Sequence, residues 1–516
     1  MIDWARALDL EQAGRNVRTD IFGDWHRDPW SWPEQEWLLS KSGMSHVLQN
    51  LNDSGVRRGL SLDVPKENFS TRPALVFDPV DRLVFQALVD RISTKIIGQL
   101  PRWSYSWRLS RRSAAAGRYL DMRAEWKGYR RRLNDISGLY DSALTTDIVS
   151  FFPSIPIARL IDCMYERAGS SDVTDRLADM LGSWDRMAGR GGLPMRANAS
   201  SVLASMYLRP VDDVLLSHGK SMVAGRSLFN SYALAQGTAS RWVDDVWLFA
   251  DSSADLRASQ LDLQETMRSL GLNMNLGKTE VLDGEDMMTK ARQLEHSAVE
   301  VALLEDDEPN YEPLDALLDR VISQPEVASH TSVRFATVRM RRHCRFDRVE
   351  ELVDVAERMP HASDSLARLF RESGKHVDLG DWFVDYLHSK WSKTQLAPAR
   401  FGTMFPSGEL PSRSVIEALA ERVMAGGVSL SLLSLAAQRL AAWEKDDARA
   451  LFRELAKTAD HPQARRVLAL AALNAGETRD WVSRLLGEFQ ENAITLNFLR
   501  GRNFNAVPPV ADFEGV

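Results

Sequence analysis

The spacing of hydrophobic residues predicts that the chain changes its architecture near residue 300. Before that point, short β-rich runs alternate with segments such as 80–97 and 255–270, in which apolar residues recur at helical spacing. After an acidic stretch at 305–309, the pattern is that of successive amphipathic helices. The sequence therefore predicts a mixed α/β part followed by an all-α part.

The predicted helices of the second half recur in pairs every few tens of residues, without a strict sequence repeat. This pattern is typical of an irregular α-solenoid and less typical of a single bundle. The longest apolar run, 429–443, is interrupted by Gln438 and Arg439, so no membrane-spanning segment is predicted. The helices are predicted at residues 364–371, 381–391, 414–425, 430–443, 446–457, 463–474 and 481–488.

Two adjacent carboxylates, Asp244 and Asp245, interrupt the apolar run at 241–250. The Val, Trp, Leu and Phe residues on both sides favour β-strands, and two aspartates inside a strand would be costly. We therefore predict that the pair lies in the turn of a β-hairpin. Two carboxylates that converge on one place require a cation or a proton, although an isolated Asp-Asp pair is more often an ordinary surface turn.

A third aspartate, Asp147, lies in a β-rich run at 142–155 that Pro153 ends. A carboxylate in an apolar strand must be compensated, and both a hydrogen-bonded core aspartate and a metal ligand would satisfy this requirement. Two more stretches accompany the aspartates: a Gly-Leu-Pro loop at 191–196 opens a helix, and the segment 272–281 closes the α/β part.

The net charge of −7 argues against binding of nucleic acid through bulk charge, so such contacts must come from local basic stretches. The most basic stretch, 102–132, is rich in arginine with aromatic residues interleaved, and a second cluster occupies 334–348. Phosphate contact and a solvated helix face are the two interpretations of these stretches. The predicted nucleic-acid contacts are Arg130, Arg131, Arg132, Arg341, Arg342 and Arg345.

The order of these stretches resembles the fingers and palm of reverse transcriptases, over residues of about 70 to 285. One such match would be weak evidence, whereas the ordered set is strong. Asp147 with Phe151 and Phe152 resembles the family's first motif, Gly192-Leu193-Pro194 the second, Trp242-Val243-Asp244-Asp245 the third, and Asn275 with Lys278-Thr279 the fourth.

The resemblance implies a polymerase that joins nucleotides with two divalent ions, Mg²⁺ or possibly Mn²⁺. Phe152 matches the position of the family's sugar gate, which implies deoxynucleotide substrates. Lys278 matches a residue that can protonate pyrophosphate, and a structural lysine is an equal alternative. The implied catalytic residues are Asp147, Asp244 and Asp245; the metal ligands are these three with Ile148; the nucleotide contacts are Arg72, Arg108, Phe151, Phe152, Pro194 and Lys278.

Three departures from the family pattern carry information. Met195-Arg196 replaces the usual Gln-Gly, Trp242 replaces the usual tyrosine, and no compact thumb follows residue 285. A polymerase core followed by helical (HEAT-like) repeats resembles the abortive-infection reverse transcriptases of phage defence, the AbiK-like branch. That resemblance implies a bacterial antiphage protein that makes DNA, often without a template, primed from a protein hydroxyl and covalently attached to its product.

The expected organisation is an N-terminal Trp-rich extension at 1–70, fingers and palm at 71–300, and a helical domain at 310–516 that replaces the thumb. Apolar helix edges and the resemblance predict a homo-oligomer such as a trimer or hexamer. With only two cysteines and no secretory pattern at the start of the sequence, a cytoplasmic location is expected.

Three alternative functions are also compatible with the sequence. The chain could be a templated polymerase of the group II intron or retron type, which would carry a bound RNA. It could couple a polymerase-like sensor to a helical ribonuclease, since Arg371 and His376 have a nuclease-like spacing, although Gly374 interrupts the helix that such a motif requires. It could also be an inactive scaffold, which the complete set of three aspartates argues against.

Overall fold

A computed structural model of the chain describes residues 2–22, 24–51, 55–110, 119–187, 189–223, 238–292, 299, 303, 310–375 and 378–510. The described residues form a mixed α/β structure in which helices predominate. By their contacts they divide into two compact units. The first unit contains Met1–Asp20 and Asp81–Pro309, and the second contains Ile21–Val80 and Asn310–Val516.

The unit boundaries differ from the expected segments because residues 21–80 pack with the C-terminal helices. The clearest reason is the buried guanidinium of Arg466, which donates hydrogen bonds to the carboxylates of Asp28 (3.0 Å) and Glu34 (2.6 Å). A buried arginine requires such partners. Its partners lie more than four hundred residues earlier in the chain, where no sequence pattern indicates the pairing.

The described residues contain seven strands in two sheets. The strands are β1 Leu60–Pro65, β2 Thr71–Val76, β3 Ser104–Tyr105, β4 Ser142–Thr146, β5 Ala239–Trp242, β6 Asp245–Ala250 and β7 Glu280–Asp283. The strands β1 and β2 pair antiparallel in a two-stranded sheet of the second unit, and the other five form one sheet of the first unit. The order in the larger sheet is β3-β5-β6-β4-β7, with β3 parallel to β5 and all other neighbours antiparallel.

Both faces of the five-stranded sheet are covered by helices. Successive strand residues alternate between the faces, so Trp247 and Phe249 pack with Tyr129 and Leu133 in one hydrophobic cluster. Helices Arg209–Val223 and Ser253–Ser269 pack on each other and contact the strands as well. The helices that lie wholly or mostly in this unit are Trp4–Ala7, Leu10–Phe22, Pro79–Ile97, Met122–Ser137, Phe151–Ser154, Ile157–Ala168, Asp172–Asp185, Asn198–Tyr207, Arg209–Val223, Ser253–Ser269 and Gly284–Arg292.

The second unit is a row of helices in which each helix packs on the next helix but one. His330–Arg342 packs on Ser363–Glu372, which packs on Ala397–Gly402, and the series continues through Leu430–Trp443 to Pro462–Asn474. The helices of this unit are Glu34–Leu38, Lys41–Asn50, Glu312–Ser323, His330–Arg342, Val349–Ala356, Ser363–Glu372, Gly380–His388, Ala397–Gly402, Arg413–Met424, Leu430–Trp443, Lys445–Thr458, Pro462–Asn474, Arg479–Gly487 and Ala493–Gly501.

The helices that the sequence predicted in the second half are confirmed, with ends that agree to within three residues. The hydrophobic periodicity alone located them because every one buries an apolar stripe against its neighbours. Among the helices that the structure describes, none combines the length and apolar character needed to cross a bilayer.

Candidate active site

The Asp244-Asp245 hairpin is present, but its turn begins one residue earlier than predicted. Strands β5 and β6 are joined by Val243 and Asp244, while Asp245 is the first residue of β6 and pairs with Trp242. Val243 has a φ of 55°, a left-handed conformation that is unusual for a β-branched residue. Its carbonyl accepts a 2.6 Å hydrogen bond from Arg241, which helps to hold the strained turn.

The hairpin is anchored by a buried ion pair. Arg241 donates two hydrogen bonds to Asp212, of 2.7 and 2.8 Å, and both side chains are fully inaccessible. Breaking one partner of such a pair is expensive because the other charge is left buried. The ion pair therefore fixes the position from which Val243 and Asp244 project.

Asp147 directly follows β4, and the strand register brings it to the hairpin. Thr146 pairs with Val246, so continuing the antiparallel register by one residue sets Asp147 opposite Asp245. The predicted location inside a strand is wrong by one residue, since β4 ends at Thr146. The end of a strand next to a turn leaves the carboxylate accessible to the same space as the hairpin carboxylates.

The segment after residue 272 holds Asp147 from the other side. The carbonyl of Asp147 accepts from the Asn275 N–H (2.8 Å), and its carboxylate accepts from the Ile148 N–H (3.0 Å) and from the Lys278 ammonium (2.7 Å). Strand β7 then pairs with β4. The run that contains Asp147, the Asp244-Asp245 hairpin and the segment 272–281 therefore meet in one place.

The electrostatics of the site favour an added positive charge. Burial, followed by the nearby carboxylate of Asp147, raises the pKa of Asp244 to about 8. Burial also raises the pKa of Asp245, against the stabilising hydrogen bond from Tyr129. Desolvated carboxylates that face each other are stabilised by a proton or by a cation.

The residues fit a divalent cation in part. Mg²⁺ prefers oxygen ligands and accepts few protein carboxylates, with water and substrate phosphates completing its shell. Asp147 and Asp244 supply such oxygens, whereas one oxygen of Asp245 accepts the Tyr129 hydroxyl at 2.6 Å. The Ile148 side chain is buried and its N–H is directed to Asp147. In the described part of the chain, no cluster of three or more His, Cys, Asp or Glu residues is arranged as a metal site.

The Phe151-Phe152 turn and the Gly-Leu-Pro loop are in direct contact. The Leu193 N–H donates to the Phe152 carbonyl (2.9 Å), and Gly192 has a φ of +67°. A Cβ on Gly192 would lie 2.4 Å from the Pro153 carbonyl oxygen, so only glycine fits. Phe151 and Pro194 are buried, and Phe152 is half-buried with its ring 5.2 Å from that of Phe151.

The two arginines that were predicted to contact a triphosphate have other partners. Arg108 forms two hydrogen bonds with Glu125, of 2.5 and 2.6 Å, and lies 4.6 Å from the ring of Tyr105. Arg72 belongs to the second unit, in β2, where its guanidinium lies 5.8 Å from the indole of Trp25. Arg108 also donates to the Arg102 carbonyl (2.8 Å), so three of its five guanidinium N–H donors are used within the protein.

The arginines at the end of the basic stretch 102–132 differ in their burial. Arg132 was predicted to contact nucleic acid, and this is wrong: it is buried and donates two hydrogen bonds to the Ala239 carbonyl, of 3.0 and 2.8 Å. Burial lowers the pKa of Arg132 to about 10. Arg131 is exposed, and Arg130 is half-buried near Asp245, whose charge opposes the lowering of its pKa by burial.

The second basic cluster is largely compensated by acidic residues. Arg341 pairs with Glu372 at 2.7 Å, and Arg345 pairs with Asp347 at 2.8 Å and more weakly with Asp315. Arg342 is exposed. The compensation was not predicted because Glu372 and Asp315 lie about thirty residues from their partners.

Sequence reasoning missed an aromatic cluster beside the aspartates. Tyr129 carries the hydroxyl that binds Asp245, and Trp126 and Trp242 lie with their rings 4.9 Å apart in a T-shaped contact. Trp126 remains 41% exposed, so the cluster presents an aromatic surface next to the carboxylates. Tyr129 and Leu133 recur at helical spacing within the basic stretch. This pattern could have predicted that the helix Met122–Ser137 packs against the sheet.

The chain matches no model of a known protein family, and none of the curated proteins compared with it is significantly similar.

Proposed function

We propose that the protein is a DNA polymerase of the reverse transcriptase type, which joins dNTPs by metal-dependent phosphoryl transfer. The observation that carries this proposal is the convergence of Asp147 and Asp244 from neighbouring strand ends, with burial and mutual repulsion raising the pKa of Asp244 to about 8. Desolvated carboxylates that face each other, with a pKa raised toward neutrality, are concentrated at functional sites.

Two divalent ions bound at this site would activate the attacking hydroxyl and stabilise the leaving pyrophosphate. Three side chains of the site would position a carboxylate, contact the phosphates and select the sugar. Tyr129 holds Asp245 in place, and Lys278, 64% exposed, is long enough to leave Asp147 for a phosphate oxygen. Phe152 lies half-buried at the turn held by Gly192, a position suited to excluding a 2′-hydroxyl.

The fold is compatible with this proposal. A sheet in which the end of β4 and the neighbouring β5–β6 hairpin carry the carboxylates is the arrangement expected of a polymerase palm. The helical row of the second unit would correspond to HEAT-like repeats that take the place of a thumb. This combination supports the abortive-infection branch, an antiphage, cytoplasmic and homo-oligomeric enzyme.

The two residues that follow the Gly-Leu-Pro loop motif favour DNA synthesis that does not depend on a template. Met195 is buried and Arg196 is exposed with a φ of 60°, where the reverse transcriptase pattern has a glutamine and a glycine. We therefore propose template-independent, protein-primed synthesis, with the DNA attached to the protein. A templated enzyme with a bound RNA is the second candidate, and copurified RNA would reveal it.

The ribonuclease alternative gains no support from the helical unit. The helix that contains Arg371 ends at Glu372, and Gly374 then adopts a φ of 76°, so the required continuous helix is interrupted. His376 lies outside the described residues.

The test is incubation of the pure protein with single dNTPs and Mg²⁺, followed by a denaturing gel. We expect a ladder of DNA that shifts the protein band and collapses after protease treatment. Asp244→Asn is expected to abolish the ladder. No incorporation with any dNTP, with or without RNA, would overturn the polymerase assignment.

A further inference from the structure

An exposed indole lies one side chain away from the aspartate hairpin. Trp126, in the helix Met122–Ser137, is 41% exposed, although tryptophan side chains are highly buried on average. Its ring lies 5.5 Å from the ring of Tyr129, whose hydroxyl donates the 2.6 Å hydrogen bond to Asp245. Tyr129 therefore links the exposed indole to the carboxylates of the candidate active site.

Aromatic neighbours hold the ring of Trp126 in place. The rings of Trp126 and Trp242 lie 4.9 Å apart in a T-shaped contact, and the rings of Tyr129 and Trp242 lie 5.7 Å apart. Tyr129 is itself buried and lies with its ring 5.8 Å from that of Tyr105. Aromatic pairs at these distances attract each other, so they fix the indole at the surface without burying it.

Cationic side chains flank Trp126 on the same helix. Residues three and four positions apart are neighbours on a helix surface, which places Arg123 on one side of Trp126 and Arg130 on the other. Arg123 is exposed and Arg130 is half-buried. Burial raises the pKa of Asp245, and the positive charge of Arg130 lies close enough to oppose this rise. The surface beside the hairpin therefore combines an aromatic ring with positive charge.

Packing within the protein explains only part of this arrangement. The hydrophobic effect stabilises the fold in proportion to the apolar area removed from water, so the exposed part of the Trp126 ring contributes nothing to it. A base stacked on that part would remove the remaining area from water. The positive charges beside the ring would attract the phosphates of the same strand.

We propose that Trp126 stacks on a base of the single-stranded DNA whose end lies at the aspartates, while Arg123 and Arg130 contact the adjoining phosphates. Every base has a π-face, so stacking on a side chain holds a strand of any sequence. A strand without a template also lacks base pairs that would keep it in position. The inference rests on the proposed function for the location of the strand end, and it adds a contact that would keep the growing strand beside the aspartates.

The test compares two oligonucleotides of equal length, one of thymidines and one in which abasic sites replace the bases. Fluorescence anisotropy with the full-length protein, in EDTA and without dNTPs, measures both affinities. We expect the wild type to bind the thymidine oligonucleotide about tenfold more tightly, and Trp126→Leu to lose most of this preference because leucine cannot stack. Trp126→Phe keeps a smaller ring and should show an intermediate preference. The abasic oligonucleotide should bind all three proteins equally.

The matched control is Leu261→Ala, which truncates a 67% exposed apolar side chain on the helix Ser253–Ser269 of the same unit. Its base preference should equal that of the wild type. The slope of log affinity against log salt should stay unchanged in Trp126→Leu, because no phosphate contact is lost. An unchanged base preference in both Trp126 variants, or a wild type that binds the two oligonucleotides equally, would overturn the proposal.

Failure of this inference and failure of the proposed function give different results. Loss of base preference in Trp126→Leu, in a protein that incorporates no dNTP, would support the stacking contact and contradict the polymerase assignment. DNA synthesis by a wild type whose base preference does not change in the Trp126 variants would overturn the stacking contact and leave the polymerase assignment in place.

Discussion

The ammonium of Lys278 donates a 2.7 Å hydrogen bond to the carboxylate of Asp147, which lies 131 residues earlier in the chain. The lysine therefore supplies positive charge at the place where the proposed polymerase would bind a divalent ion. Because its side chain is 64% exposed, it can leave Asp147 at little cost. An ion and Lys278 should compete for the same carboxylate.

Replacing Lys278 by alanine should lower the Mg²⁺ concentration needed for half-maximal DNA synthesis. An exposed ion pair contributes up to about 1 kcal/mol, which corresponds to a shift of roughly fivefold. Turnover at saturating Mg²⁺ should fall if the lysine also protonates pyrophosphate. Measurement of the rate against Mg²⁺ separates the two effects, and an unchanged or higher Mg²⁺ requirement would contradict the competition.

The Asp147–Asp244 pair should make the metal-free protein less stable at high pH. The folded pKa of Asp244 is about 8, above the ordinary value of 3.8. The folded state therefore binds the proton more tightly, and the free energy of unfolding contributed by this group falls as the pH rises from about 4 to about 8. At pH 9 in EDTA, Asp244→Asn should be more stable than wild type, on the order of 3 kcal/mol.

The same variant separates the structural and catalytic roles of the pair. Urea unfolding at about pH 4 should give similar free energies for the wild type and for Asp244→Asn, since the wild-type carboxyl is then protonated in the folded state and still partly protonated in the unfolded state. Mg²⁺ at pH 8 should stabilise the wild type and not the variant, while DNA synthesis falls by orders of magnitude in the variant. An equal response to Mg²⁺ in both proteins would mean that Asp244 is no metal ligand.

Phe152 should control the choice of sugar. Its main chain is fixed by the hydrogen bond from Leu193, so Phe152→Val removes ring volume while leaving the turn in place. We expect incorporation of rNTPs to rise by at least tenfold relative to dNTPs, because the space for a 2′-hydroxyl opens. Parallel extension assays with dATP and ATP measure this ratio. If the ratio stays at its wild-type value, the gate lies elsewhere.

Gly192 should tolerate no side chain. Gly192→Ala would place a Cβ 2.4 Å from the Pro153 carbonyl oxygen at a left-handed φ, and the loop must shift. We expect a loss of about 2–4 kcal/mol in the free energy of unfolding, together with reduced dNTP incorporation. Gly189→Ala is the matched control, because Gly189 has a φ of +78° and nothing within 4 Å of the added atom, so only about 1 kcal/mol is lost. Equal losses in urea unfolding would show that the contact is unimportant.

The sequence predicted the elements of this protein better than their contacts. Hydrophobic periodicity placed the helix Leu430–Trp443 to the residue, and the apolar runs around Asp244 predicted a hairpin. The turn was misplaced by one residue because Val243 takes a left-handed conformation that its residue type disfavours. Such strain is held by tertiary contacts, here Arg241, and local propensity does not predict it.

Charged residues were the least predictable part of the candidate site. Arg132 and Arg131 are adjacent in sequence, yet one is buried on the Ala239 carbonyl and the other is exposed. Arg341 was grouped with a basic cluster, although Glu372, at the end of the helix Ser363–Glu372, forms an ion pair with it. Whether a long charged side chain is buried or exposed depends on which element packs against it. The local sequence pattern carries no information about that element.

The helix Met122–Ser137 carries adjacent arginines that differ in exposure. Of the three arginines predicted to contact nucleic acid in this helix, only Arg130 and Arg131 can do so, because Arg132 is buried against the sheet. Replacing Arg130 and Arg131 together by glutamine should weaken the binding of single-stranded DNA and reduce the slope of log affinity against log salt by about 1.4, or ~0.7 for each lost phosphate contact.

Arg132→Gln should behave differently, because it removes hydrogen bonds that close the helix onto β5. We expect this variant to lower the free energy of unfolding by about 2–3 kcal/mol while it leaves the salt slope of the remaining folded protein unchanged. Fluorescence anisotropy with labelled oligonucleotides at several salt concentrations, together with urea unfolding, distinguishes the two effects. If the double variant keeps the wild-type slope, Arg130 and Arg131 form a solvated helix face, and the DNA must be held by other residues.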